Sequence, residues 1–247
     1  MARQPRFVPD SAMDYAAART PLPPGAALRL DASYRLRHLP LVSPRHPDVI
    51  ARAAGEDYEM GRHGELVSLV APLDMDAIEA SPVWQAMERE LREGSLAARI
   101  AWDIASRRRG RMHATICGAL DLSALPEGWR GRLAALGPIE ARIGGPFSGN
   151  INVGRLYLKL YPRITGGANA FHAVQEALGR RPGRLFVAGM HNLTDHLDVE
   201  ETSWLAAWLR RWENGEVTRL KLTELWLLGS RDDLVLDSRI VERVPLE

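Results

Sequence analysis

Two stretches of this chain match each other, and that match limits the folds open to it. Met112-His113-Ala114-Thr115 and Met190-His191-Asn192-Leu193-Thr194 share a Met-His start. Each closes a run that reads strand, helix, strand. The first has apolar residues for a strand at 66–71, helical spacing over about 82–107, and a return strand at 111–117. The second repeats the order at 155–161, about 170–178 and 184–193. In both, the histidine falls near the end of the return strand and is followed by an acidic turn and a further helical stretch. A repeated unit of this kind predicts an α+β fold with two lobes, lobe one over about 64–150 and lobe two over about 151–247, with a site between them.

The first match carries the chemistry. On a strand His113 and Thr115 share one face while Ala114 and Ile116 take the other, so one face holds a titratable base and a hydroxyl. Arg107, Arg108, Arg109 and Arg111 surround it, which points to an anionic visitor such as a phosphate. The triplet alone is weak: seven histidines and seven threonines in 247 residues give roughly 0.2 such pairs by chance. Arg155-Leu-Tyr-Leu-Lys-Leu-Tyr161 supports it. Leu156, Leu158 and Leu160 form an apolar face, and Arg155, Tyr157 and Lys159 on the other become phosphate or ribose contacts if that face lines the cleft; otherwise the strand is an ordinary amphipathic one.

The rest of the chain frames these stretches. Eight of sixteen prolines fall in residues 1–63, which breaks long helices and central strands and predicts an extension packed on a domain that spans 64–247. A short strand is expected there at 27–37. Arg35, Arg37, His38, Arg45, His46 and His63 read as a solvated basic loop that could edge a cleft. Ser81-Pro82 starts a helix, Asp198 and Glu201 form a capping pair, and Trp204, Trp208 and Trp212 lie at core spacing. Gly144-Gly145-Pro146 reads as a turn and lacks the lysine and spacing of a P-loop. The chain ends as a hairpin of 217–228 and 234–244. With 32 basic and 31 acidic residues, there is no global field for a polyanion, so any nucleic acid must meet a local basic patch. One cysteine, Cys117, fits a reducing compartment, and no apolar run reaches membrane-span length. A cytoplasmic protein without membrane contact is expected.

With these residues in view, the chain resembles the two-histidine (2H) phosphoesterase superfamily, which includes the 2′-5′ RNA ligase-like proteins and the cyclic nucleotide phosphodiesterases. The resemblance rests on His113-Ala-Thr115, the duplicated strand-helix-strand unit and the closing hairpin. It implies two lobes of mainly antiparallel sheet around a central cleft, and metal-independent hydrolysis of a 2′,3′-cyclic or 2′-5′-linked nucleotide or RNA phosphodiester. His113 and His191 would be the acid/base pair. Thr115 and Thr194 would bind phosphate, supported by Arg155, Lys159, Tyr157 and Arg111, with no cofactor or metal. The second motif departs from the pattern: aligning His191 puts threonine one residue late, whereas aligning Thr194 puts Asn192 at the histidine position. A strand bulge would restore His191. Asn192 in its place leaves a nucleotide- or RNA-phosphate-binding protein without one proton carrier. A zinc site from His191, His196 and Asp195 or Asp198 has suitable spacing but no full ligand set.

Overall fold

The computed structural model describes residues 5–247. The extension contains two short helices, α1 (Ala32–Arg37) and α2 (Leu39–Val42). The strand expected at 27–37 does not form. Leu28 makes a single antiparallel bridge to Leu197, and Asp31 then caps α1 by accepting the N–H of Tyr34. The capped helix buries Tyr34 and Leu36.

After the extension come β1 (Arg62–Pro72), α3 (Met75–Glu79), α4 (Pro82–Glu93), α5 (Trp102–Arg108) and β2 (His113–Cys117). The helical stretch over 82–107 is interrupted at Gly94, as the Gly94-Ser95 pair allows, and there the ring of Trp204 leaves no room for a Cβ. After α6 (Trp129–Ala134) come β3 (Ile139–Ser148), β4 (Arg155–Pro162), the short pair β5 (Ile164–Thr165) and β6 (Ala168–Asn169), α7 (Ala170–Ala177) and β7 (Val187–Asn192). The Gly144-Gly145-Pro146 turn is corrected to an irregular stretch inside β3. Glycine is required there because a Cβ would strike the Tyr161 ring at 144 and the Trp212 carbonyl at 145. The chain closes with α8 (Val199–Trp212), β8 (Glu216–Leu222), β9 (Glu224–Asp232) and β10 (Ser238–Pro245). Asp198 and Glu201 form the expected capping box of α8, and Trp208 is fully buried.

Eight strands make one antiparallel sheet in the order β10-β9-β1-β2-β7-β4-β3-β8. The strand expected over 217–228 is therefore two, which pair at distant positions of the sheet, β8 with β3 and β9 with β1. Only Thr223 separates them. One linking residue spans at most ~7 Å, while six strand spacings in a flat sheet would need ~29 Å. The sheet is consequently curled. Its helix-bearing face buries Leu156, Leu158, Leu160, Ala114, Ala188 and Leu227 in one continuous core with Trp84, Met87 and Trp208. No helix among the described residues is long and apolar enough to cross a membrane.

The extension is bound into this core. The hydroxyl of Tyr15, itself fully buried, lies 2.6 Å from the Leu160 carbonyl and 2.8 Å from that of Phe186. Tyr34 likewise donates to the Leu193 carbonyl at 2.6 Å. Tyr15→Phe should lower unfolding stability by about 1–3 kcal/mol, the cost of leaving buried carbonyls unpaired, as read from the urea midpoint. An unchanged midpoint would mean that the extension unfolds independently of the sheet.

Candidate functional site

The face of the sheet away from the helices holds a cleft of about 440 Å³. His113 and Thr115 on β2, Arg155 and Tyr157 on β4, and Gly189 on β7 line it. The His113 Nδ1 donates to the Arg111 carbonyl at 2.7 Å. A carbonyl can only accept, so in the neutral ring Nδ1 carries the proton and Nε2 keeps its lone pair. The residue retains a partly exposed edge toward the cleft. Burial is nevertheless the largest influence on its pKa, and with the fields of Arg108 and Arg155 it outweighs the Arg111 carbonyl and holds the imidazole down to about 4. At neutral pH His113 is an uncharged base.

The place facing His113 is occupied by a guanidinium. Ala114 pairs with Ala188, so the antiparallel register sets Gly189 opposite His113. The Arg155 guanidinium lies so close against Gly189 that no Cβ fits there. Arg108 reaches the same strand, and its Nη2 donates to the Gly189 carbonyl at 3.0 Å, while Arg155 Nη1 donates to the Asp233 carbonyl at 3.1 Å. Both side chains thus engage backbone carbonyls, and further guanidinium nitrogens, Nε and Nη1 of Arg108 and Nε of Arg155, are buried without a hydrogen-bond partner among the described residues. Burial first and the charge of Arg155 second pull the Arg108 pKa down to about 9. Beside them the buried side chains of His38 and Asn192 also lack partners.

The nearby carboxylates, by contrast, are satisfied. Asp232 accepts the backbone N–H groups of Leu234, Leu236 and Asp237. Asp233 accepts the Tyr58 hydroxyl at 3.0 Å and lies 3.4 Å from His63 Nε2. Burial raises the Asp233 pKa, but His63, His38, Arg155 and Tyr58 outweigh it and leave the carboxyl at about 2. The hydrogen bond to Asp233 in turn raises His63 above the ordinary histidine value. His63 lines the cleft, as the basic-loop reading allowed. Arg35 bonds to the Asp48 carbonyl, Arg37 to Glu56 and His46 to Asp195.

The structure does not bring His191 to His113. A bulge does occur in β7, with Tyr157 opposite Gly189 but Leu156 opposite His191. It therefore turns Met190 and His191 toward the helices and puts Asn192 on the face of Arg155. His191 is buried in a separate cavity, 2.5 Å from Glu88 through Nε2 and packed against Trp84 and Trp102. Its Nδ1 has no hydrogen-bond partner among the described residues, so Glu88 and the two indole rings hold the imidazole on the helix-bearing side. Thr194 sits beyond the end of β7, where its N–H donates to the Arg99 carbonyl. Lys159 is covered by the extension, 3.3 Å from Asp10, and Arg111 bonds to the Gly110 carbonyl in an exposed position. The zinc set is also dispersed: His196 meets Asp48, Asp195 meets His46 and Arg99, and no metal-ligand cluster exists among the described residues. Arg108, expected only as one of the four arginines around His113, is the one that α5 buries beside Ile104; its four-residue spacing from Ile104 was the sequence signal.

No family model matches the chain, and no curated protein does. Among solved structures, a conserved protein of unknown function from Agrobacterium tumefaciens is similar, with 12% identity and a TM-score of 0.45 over 74% of this chain and 86% of that one.

The depressed His113 pKa has a readable consequence. Folded at about 4 against 6.5 in the open chain, the imidazole binds fewer protons in the native state across that window. It therefore removes stability as pH falls from about 6.5 to 4. His38, also pushed down by burial, acts in the same direction, so His113→Asn should flatten part of the slope and leave the rest. In NMR titrations the His113 ring should stay neutral down to about pH 5 and titrate near 4, and inorganic phosphate should raise its pKa. A value near 6.5 without phosphate would contradict the burial argument.

Proposed function

We propose that this chain is a phosphoester-binding protein built on a 2H-type arrangement, with a guanidinium in the place of the second imidazole. The observation that carries the reading is the Arg155 guanidinium in the cleft wall beside the neutral His113, with the buried, incompletely paired Arg108 guanidinium behind it. A phosphoryl group would neutralise them and take hydrogen bonds from Arg155 and the Thr115 hydroxyl. The strand order supports the architecture. It divides into β10-β9-β1-β2 and β8-β3-β4-β7, each half with its strand-helix-strand unit on the inner pair, and the halves meet along β2 and β7. Nucleotide 2′,3′-cyclic phosphates and RNA termini are the first ligands to test.

An arginine does not titrate near neutral pH, and His63, the other imidazole lining the cleft, is engaged by Asp233, so no second base faces His113 where two-base chemistry needs one. The loss is typically ~10²-fold or more in rate, which favours binding over rapid turnover. The free Nε2 of His113 favours a second reading, slow hydrolysis with that imidazole acting alone.

Calorimetry with a 2′,3′-cyclic nucleotide should show binding that Arg155→Ala weakens by at least about tenfold, as expected for a lost charge-assisted contact. His191→Ala should leave affinity unchanged. Fast, metal-independent hydrolysis that His191→Ala abolishes and His113→Ala spares would overturn the assignment.

A further inference from the structure

The cleft continues well past the arginines, and its other half is apolar. Leu66, Ile116, Leu185, Val187, Leu228 and Val235 line it. Leu66 and Leu185 are 47% and 41% exposed, two of the seven large hydrophobic side chains left exposed among the described residues. They come from elements on either side of β2, Leu66 from β1 and Leu185 from the chain just before β7. Folding has left these two uncovered in a cleft to which β2 and β9 already supply Ile116 and Leu228 and the β9–β10 turn supplies Val235. The hydroxyl of Ser230 on this side is bonded to the Asp232 carbonyl, which leaves Ser68 as the polar side chain among these apolar ones. At about 440 Å³ the space lies in the range of pockets that enclose an organic ligand and exceeds the needs of inorganic phosphate.

We propose that the ligand is an amphiphilic phosphoester, its phosphoryl group at Arg155, Thr115 and His113 and an apolar body lying against Leu66 and Leu185. This rests on the phosphoester reading and narrows it: affinity comes from the anion at one end and from water released by apolar surface at the other. Each methylene buried along the leucines should then strengthen binding about three- to fourfold.

The test is calorimetric titration of the full chain with inorganic phosphate and with methyl, butyl and hexyl phosphate. Affinity should climb along the alkyl series. Leu66→Ser and Leu185→Ser should flatten that climb while leaving inorganic phosphate binding within about twofold, a control that also reports correct folding. Arg155→Ala should weaken all four ligands alike. If the four bind with equal affinity, the apolar arm is wrong while the anion site stands. If none of the four binds the wild type, the phosphoester reading fails and takes this inference with it.

Discussion

Thr223 sets the geometry on which the site depends. One residue joins β8, at one edge of an eight-stranded sheet, to β9, next to the other edge. A flat sheet cannot satisfy that link, so the sheet must curl until its two ends meet at this residue. Curling brings the β9–β10 turn over the exposed face, where the Asp233 carbonyl receives Arg155 from β4 in the opposite half. The cleft is thus a product of chain connectivity, and its walls come from strands far apart in sequence.

Within that cleft, one contact separates this chain from a two-base site. Arg155 lies flat against Gly189, the residue opposite His113. A glycine there is a steric requirement of the arginine, and the arginine excludes an imidazole from the position. Burying charge is costly without a matching anion, and here the burden falls on Arg108, whose pKa drops to about 9. The carboxylates nearby relieve it only in part: Asp232 offsets some of the Arg108 shift, but backbone amides, Tyr58 and His63 already engage their oxygens. The extension contributes to this balance as well as to stability. Tyr34, His38, Tyr58 and His63 all belong to or border it, and they build the wall behind Arg155 and Asp233.

Much of this was legible in the residues, for identifiable reasons. Alternation with period two placed Arg155 and Tyr157 on one face and Leu156, Leu158 and Leu160 on the other, because a strand offers only two sides. Caps at Ser81, Asn169 and Asp198 marked helix starts, since their oxygens answer local amides. The orientation of His191 was not legible. A bulge inverts the face of everything beyond it, and whether it delivers His191 or Asn192 depends on packing against Trp84 and Trp102 from other elements. Lys159 shares a face with Arg155, but the extension covers it with Asp10, a partner 149 residues away. The break at Thr223 was hidden because two short strands with matching alternation read as one long one.

The most direct measurement is a crystal structure determined in the presence of phosphate or its heavier analogue tungstate. The account predicts one ordered anion in the cleft, within hydrogen-bond reach of Arg155, the Thr115 hydroxyl and His113 Nε2, with the Arg155–Gly189 contact preserved. An anion bound at His191 and Glu88 on the helix-bearing side, or a cleft that stays empty at saturating concentration, would contradict it.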